Sequence, residues 1–318
     1  MSRSRDGVSI VLPTMNRGED MRAFLISLLQ QTVLPRELVV VDAGEPVEAL
    51  LRSTLEGTPI ALVYTRSEPG TSLQRNVGID LASGEYLFFL DDDMVLEADY
   101  IERSLEAFEL PMEPPVGGVM GSQINIPPDS PLIQRLYHLF GIAHTASGDE
   151  CELYISGGVR WLADPSQIVP IPAAATGRVA YRAACLDGER FSEFLPGYTF
   201  AEDVELAVRI AARWSIVHQP AARLEHRHSV AGRVGYEDRI SRVMYSRFYF
   251  FGQHRDKNLR NLASFAWSHS GETAQLAAVG LLRRRTGLRP VIRGVANGYR
   301  LCLRDLWDLL GGGQGESP

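Results

Sequence analysis

Gly84-Glu85-Tyr86-Leu87-Phe88-Phe89-Leu90-Asp91-Asp92-Asp93-Met94 passes in one step from a run of apolar residues to three consecutive carboxylates. The run Tyr86 to Leu90 has the length and aromatic content of a strand covered on both faces. Carboxylates that follow such a strand stand at the carboxyl edge of a sheet, where open α/β folds bind their ligands. Three adjacent like charges raise one another's cost of ionisation unless a cation or hydrogen-bond donors are close. A divalent ion relieves that cost. Mg²⁺ typically takes one or two carboxylates together with substrate phosphates, so a cluster this short suits a bridge to a diphosphate better than a complete protein cage. The competing reading is a solvated acidic turn opening the next helix, where Asp is favoured.

The flanking sequence alternates short apolar runs with helical patterns, as βα units around a mostly parallel sheet do. Val8 to Leu12, Glu37 to Val41, Ile60 to Tyr64 and Glu85 to Leu90 read as strands; Asp20 to Gln31, Val47 to Leu55 and Ser72 to Ala82 read as helices. A further strand is expected over Gly117 to Asn125. Six prolines between Pro127 and Pro172 then break the rhythm, predicting loops and a short helix near Leu132 to Phe140. Order returns at Gly177 to Leu186 and in the helical Ala201 to Arg213, and the chain is helical from beyond Gly232 to Leu310. The expected class is α/β, a mixed, mostly parallel sheet with flanking helices plus a C-terminal helical extension. The expected division is 1–232, with halves at 1–115 and 116–232, followed by 233–318.

Composition excludes several classes. With 318 residues, 45% hydrophobic and 22% charged, the chain has ordinary globular usage and length for a sizeable core. A net charge of -7 argues against a nucleic-acid binder. Cys151, Cys185 and Cys302 form no paired motif, which disfavours a disulfide scaffold or cysteine zinc site and fits a reducing cytoplasm. The polar start, Met1 to Gly7, leaves no room for an apolar signal core before the first strand. Lys257, the single lysine, follows Asp256, so no P-loop is present. A dehydrogenase fingerprint and a Gly-x-Ser-x-Gly elbow are also missing.

Three further segments accompany the acidic cluster: Ser9-Ile10-Val11-Leu12-Pro13-Thr14-Met15-Asn16-Arg17, then Glu37-Leu38-Val39-Val40-Val41-Asp42, then Gly70-Thr71-Ser72-Leu73-Gln74-Arg75-Asn76-Val77-Gly78. In this order and spacing they resemble the nucleotide-binding half of family 2 glycosyltransferases across residues 8 to 99. The resemblance implies a GT-A fold, an inverting transfer and a nucleotide-diphosphate-sugar donor. It places Thr14, Asn16 and Asp42 on the nucleoside, Arg75 on the nucleotide or its diphosphate, Asp92 on the ribose and Asp93 on a divalent metal, Mg²⁺ or Mn²⁺. A planar Arg donor suits phosphate, and an Asp accepts paired hydrogen bonds from ribose hydroxyls or a ring N–H. Ala43-Gly44 follow Asp42 where the family often has a second acidic residue. The nucleobase therefore stays open, with UDP favoured and dTDP or GDP as alternatives.

Pro196-Gly197-Tyr198-Thr199-Phe200-Ala201-Glu202-Asp203-Val204 resembles the family's second acidic motif, whose Asp is the general base; that role falls on Asp203. Thr199 to Glu202 also fits a capping box, which assigns Glu202 to the helix end. Glu205 and Arg209 have the spacing of a surface i,i+4 pair. Leu224-Glu225-His226-Arg227-His228-Ser229 resembles the segment carrying a late metal ligand, with His226 preferred and His228 in reserve. Gly157-Gly158 and Ala173 to Gly177 are expected to line an acceptor cleft. Ile240, Val243, Met244, Phe248 and Phe251 form an apolar helical stripe of the kind that packs into a core.

From Thr273 to Pro318 seven arginines face Asp305, Asp308 and Glu316, a net +4 on a chain whose remainder carries -11. Arg283 to Arg285, Arg289 and Arg293 are interleaved with Leu281, Leu282, Leu288, Val291 and Ile292. That pattern fits either a helix packed on the catalytic body or one lying on an anionic membrane face through 273–310. The reading is a cytoplasmic enzyme, peripheral at the inner membrane in the second case, that adds single sugars to a glycan or lipid-linked acceptor. No Gln-x-x-Arg-Trp segment of a processive synthase is present. The alternatives are a non-catalytic nucleotide-sugar binder and a sugar nucleotidyltransferase, whose Gly-rich, lysine-bearing start has no counterpart in Val8 to Arg17.

Overall fold

The computed structural model describes residues 7–195, 197, 199–228, 235–282 and 288–309. Strands β1 (Val8–Thr14), β2 (Glu37–Asp42), β3 (Ala61–Arg66) and β4 (Tyr86–Leu90) alternate with helices α1 (Gly18–Leu29), α2 (Glu48–Leu55) and α3 (Thr71–Leu81). A short β5 (Met94–Leu96) and α4 (Tyr100–Phe108) follow, then β6 (Val116–Gln123) and α5 (Pro131–Phe140). The proline-rich stretch contributes β7 (His144–Ala146), β8 (Glu152–Leu153), β9 (Val159–Leu162) and β10 (Val169–Pro170). The chain continues through β11 (Arg178–Arg182), α6 (Glu202–Ala211), β12 (Ser215–His226), α7 (Tyr236–His254), α8 (Leu259–Leu282) and α9 (Leu288–Leu309).

The main sheet runs β10-β12-β6-β11-β4-β1-β2-β3, with β5 pairing off β12. The half that contains β3, β2, β1 and β4 is parallel, β11 joins it antiparallel, and β6 with β12 form a second parallel pair. The α/β expectation therefore holds, in its mixed form. Burial follows the two-residue period of each strand. Ile10, Leu12, Leu38, Val40, Phe88 and Leu90 face one side, against Phe24, Leu25 and Leu28 of α1 and Ile101 and Leu105 of α4. Val11, Leu87 and Phe89 face the other, against Leu206 and Ile210 of α6 and Phe191. With both faces covered, every residue of β1 and β2 is buried.

Two elements depart from the expected rhythm. The segment after the acidic cluster carries β5 and α4, and the proline-rich stretch builds a three-stranded sheet, β7-β9-β8, beside the expected α5. Its strands are two to four residues long, too short to show a period. The apolar stripe on α7 packs as expected through Ile240, Met244 and Phe251. Gly294 and Gly298 of α9 lie against it: a Cβ on Gly294 would stand 2.6 Å from the Glu237 carbonyl oxygen, and one on Gly298 2.7 Å from Met244 Cβ. Larger residues at either place would push α9 off α7. Arg283 to Arg285 of the basic tail lie outside the described residues.

Candidate active site

The carboxyl ends of β1 and β4 and the start of α6 enclose a cleft of about 440 Å³, lined among others by Thr14, Arg17, Arg75, Asp91, Asp92, Asp93, Glu202, Asp203 and His226. The three carboxylates of the cluster are held apart by two arginines. Arg17 donates to Asp92 at 2.8 Å and stands 3.4 Å from Asp93, while Arg75 donates to Asp91 at 3.1 Å. Thr14 donates through Oγ1 to the second oxygen of Asp92 at 2.7 Å. Burial pushes the Asp92 carboxyl up to about 6, although Arg17 and Thr14 pull it down.

Asp93 meets His226 because of strand register. Met94 of β5 pairs antiparallel with His226 of β12, and the Arg227 amide donates to the Asp93 carbonyl at 2.9 Å. The side chains consequently converge, with His226 Nε2 3.1 Å from Asp93 Oδ1. His228 stacks on the His226 ring, with centroids 4.0 Å apart, and its Nε2 lies 3.3 Å from Gln123 Nε2. Among the described residues no three His, Cys, Asp or Glu side chains gather into a complete metal cage. Asp93 and His226 converge as a pair.

Helix α3 supplies three consecutive buried joints. Gln74 Nε2 donates to the carbonyls of Thr14 and Val41, and Asn76 exchanges two hydrogen bonds with the Phe191 backbone. Between them Arg75 donates to Glu202 at 2.8 Å and lies over the Phe191 ring. The capping-box expectation is overturned here. Ala201, at φ 61°, precedes α6 with no side-chain cap, Thr199 shares a hydrogen bond with Ser72, and Glu202 turns to Arg75. A charge-assisted bond in a buried cleft outweighs a neutral cap.

Asp203 lines the same cleft as the acidic cluster, at the start of α6. Its Oδ2 accepts the Thr176 amide at 3.1 Å and its Oδ1 the Val204 amide at 2.8 Å. Burial raises its pKa above the ordinary aspartate value, against these hydrogen bonds and the pull of Arg75. Glu202 is likewise raised, by burial and then by Asp203. Asp203, Thr176 and His226 also line a second compartment of about 310 Å³, walled by Thr145, Trp161, Ala175 and Arg178.

Other expected site residues fall elsewhere. Asp42 is fully buried behind the cleft, accepting from the Gly44 and Val47 amides and the Tyr64 hydroxyl, so it has no surface to offer a nucleoside; the turn after β2 claims both of its oxygens. Asn16 stands exposed at the rim with Oδ1 on the Glu45 amide. Gly157 sits against the Phe250 ring of α7 and does not line the second compartment. Glu205 is buried and binds His254 and Ser192 besides Arg209, so that pair belongs to an interior network. Arg17 and Arg178 were not singled out from the sequence. Arg17 is the last residue of the first matched segment, which was its signal.

Residues 9–163 match the profile of glycosyl transferase family 2. This segment belongs to glycosyltransferase family 2. Among curated relatives, the glycosyltransferase YwdF of Bacillus subtilis is 35% identical over 106 residues, 32% of this chain and 38% of the relative. A PGL/p-HBAD biosynthesis glycosyltransferase of Mycobacterium bovis is 34% identical over 99 residues, 30% of this chain and 39% of the relative. The chain thus spans little more than a third of the length of these relatives. Two solved structures share the fold over most of the chain. TarS of S. aureus has a TM-score of 0.54 at 15% identity, covering 95% of this chain and 83% of that one. The mannosyltransferase PcManGT of Pyrobaculum calidifontis, in complex with GDP-Man and Mn²⁺, has a TM-score of 0.56 at 18% identity, covering 95% and 87%.

Proposed function

We propose that this protein is an inverting glycosyltransferase that moves a sugar from a nucleoside-diphosphate donor to an acceptor hydroxyl. The observation that carries the reading is that Asp203 lines both the cleft that contains the acidic cluster and the second compartment. An acceptor in that compartment presents its hydroxyl to Asp203, which takes the proton as the oxygen bonds to the anomeric carbon. The bond from that carbon to the diphosphate breaks on the far side, where the cluster and its arginines lie. Thr14, Arg75 and Asp92 hold the donor, with Asn16 at the rim. The solved relative with GDP-Man and Mn²⁺, and TarS with UDP-GlcNAc, support a nucleotide sugar as donor; UDP remains favoured, with dTDP or GDP as alternatives. In this reading residues up to 232 form the catalytic unit and 233–318 its extension.

The pair Asp93 and His226 fits a divalent ion, Mg²⁺ or Mn²⁺: one carboxylate oxygen and one imidazole nitrogen converge at 3.1 Å and leave room for phosphate oxygens. When bound, the ion neutralises charge that develops on the departing diphosphate. Calorimetric titration with UDP, dTDP and GDP is expected to show binding of at least one that tightens about tenfold or more when Mn²⁺ is added, equivalent to about 1.4 kcal/mol. Absence of metal-enhanced binding for all three would sink the donor assignment.

Three free thiols support a cytoplasmic setting, and α9 supports contact with the inner membrane face. Among the described residues no helix is long and apolar enough to cross a membrane. Yet ten of the thirteen exposed large hydrophobics among the described residues lie on α5, α8 and α9. On α9, exposed Leu288, Ile292, Tyr299 and Leu303 run beside exposed Arg289, Arg293, Arg300 and Arg304. Each cation near an anionic surface contributes about 1 kcal/mol. Reversing Arg289, Arg293 and Arg300 together to Glu is expected to abolish co-sedimentation with phosphatidylglycerol vesicles at low salt. Equal binding by the wild type and this variant removes the membrane reading.

A further inference from the structure

The compartment that adjoins the cleft at Asp203 contains a cation with no ionic partner. Arg178 opens β11 and its guanidinium lies over the Trp161 ring, 5.7 Å from the centroid, on the compartment wall. Among the described residues no hydrogen bond or ion pair involves its side chain, whereas Arg17, Arg75, Arg182 and Arg209 each engage a carboxylate. Three of its titratable neighbours supply no counter-charge. Burial holds the Tyr100 hydroxyl far above its usual value and pushes the Cys151 thiol up to about 12, while His218 is driven down to about 3. All three are neutral near pH 7. Asp203 is the one nearby carboxylate among these neighbours, and its oxygens are engaged by the amides of Thr176 and Val204.

A guanidinium stays protonated in a protein, and removing it from bulk water without a partner is costly. The aromatic face compensates only in part. The N–H groups, with no hydrogen-bond partner among the described residues, suit a planar or tetrahedral oxyanion, which Arg binds with two parallel hydrogen bonds. Thr145 and Gln123 add polar groups to the same walls. At about 310 Å³ the compartment lies at the small end of ligand pockets, of a size for one acceptor unit.

We propose that Arg178, stacked on Trp161, anchors an oxyanion carried by the acceptor, so that this enzyme glycosylates phosphorylated or carboxylated acceptors in preference to neutral ones. The inference rests on the transfer reading above for the word acceptor, but the anion site is testable without it. Methyl phosphate and acetate are titrated separately into the full chain, with UDP and Mg²⁺ present and again without them, following the intrinsic fluorescence that Trp161→Phe removes. Saturable binding of one or both is expected, weakened about tenfold or more in Arg178→Met and to a smaller extent in Arg178→Lys, which keeps the charge and loses the two-pronged edge. Phosphate alone or acetate alone assigns the acceptor's class. Arg178→Met is also expected to melt at the same temperature as the wild type or higher, because it removes a half-buried charge that has no ion-pair partner. Equal affinity in the wild type and Arg178→Met, or no saturable binding of either anion, overturns the proposal, as does a marked loss of thermal stability in Arg178→Met. Calorimetry with nucleoside diphosphates on the same samples separates the two readings: Arg178-dependent anion binding beside a failure to bind any diphosphate removes the donor assignment and leaves the anion site standing.

Discussion

Asp203→Asn is expected to lower turnover by about 10²–10⁴ while leaving nucleoside-diphosphate affinity within about twofold of wild type. The carboxamide keeps the shape of the side chain and can still accept from one of the two amides, that of Thr176 or that of Val204, through its single oxygen, but it cannot take a proton from the acceptor. The donor side does not depend on it: the groups proposed to hold the diphosphate are Arg75, Asp93 and His226. Nucleoside diphosphate released from a panel of nucleotide sugars reads turnover, and calorimetry reads binding. Retention of more than about a tenth of wild-type turnover removes Asp203 as base, and a parallel loss of diphosphate affinity reassigns it to the donor site.

The pH dependence follows from the same environment. Burial raises the Asp203 pKa in the folded protein, so the proton leaves at higher pH than from an ordinary aspartate. The base is active above that value and silent below it. Turnover at saturating donor should therefore fall on acidification along a limb displaced upward from about 3.9, the unperturbed Asp value. A limb at or below the unperturbed value, in a protein still folded there, contradicts the assignment.

How much of this site was legible in the sequence depended on how local each contact is. The strands β1, β2 and β4 were readable because both faces are buried, which leaves near-continuous apolar runs. The cluster Asp91 to Asp93 could be placed at a sheet edge for the same reason. Its meeting with His226 could be expected from family resemblance only, since the convergence is produced by β5, three residues long, pairing with β12. Glu202 shows the opposite failure. Thr199 to Glu202 is a well-formed local capping signal, yet Arg75, 127 residues away in sequence, claims the carboxylate. Asp42 fails similarly, because the Tyr64 hydroxyl on the neighbouring strand β3 and two amides of its own turn take its oxygens. Arg178 carried no periodic or motif signal; its isolation shows only once Trp161 and the neutral groups around it are in place.

Arg75→Met is expected to destabilise the folded chain by about 3–5 kcal/mol at neutral pH, the usual cost of stripping one partner from a buried ion pair. Arg75 is 3% exposed and Glu202 5% exposed, so neither can turn to water when the other is lost. Methionine fills most of the volume and keeps the contact with Phe191, which confines the loss largely to charge. Glu202 is already raised by burial and by Asp203, and without Arg75 its pKa rises further. The folded variant then binds a proton that the unfolded chain, with an ordinary glutamate near 4.3, releases. By linkage its stability falls as pH rises from that value toward the folded one, so the deficit against wild type is largest at neutral pH and shrinks on acidification. Urea denaturation at several pH values reads this directly. Adding Glu202→Gln to Arg75→Met removes the stranded carboxylate and should recover at least half of the deficit at neutral pH, as expected for two coupled neighbours. A double variant no more stable than Arg75→Met alone would place the cost in lost packing and remove the ion pair as the joint between α3 and α6.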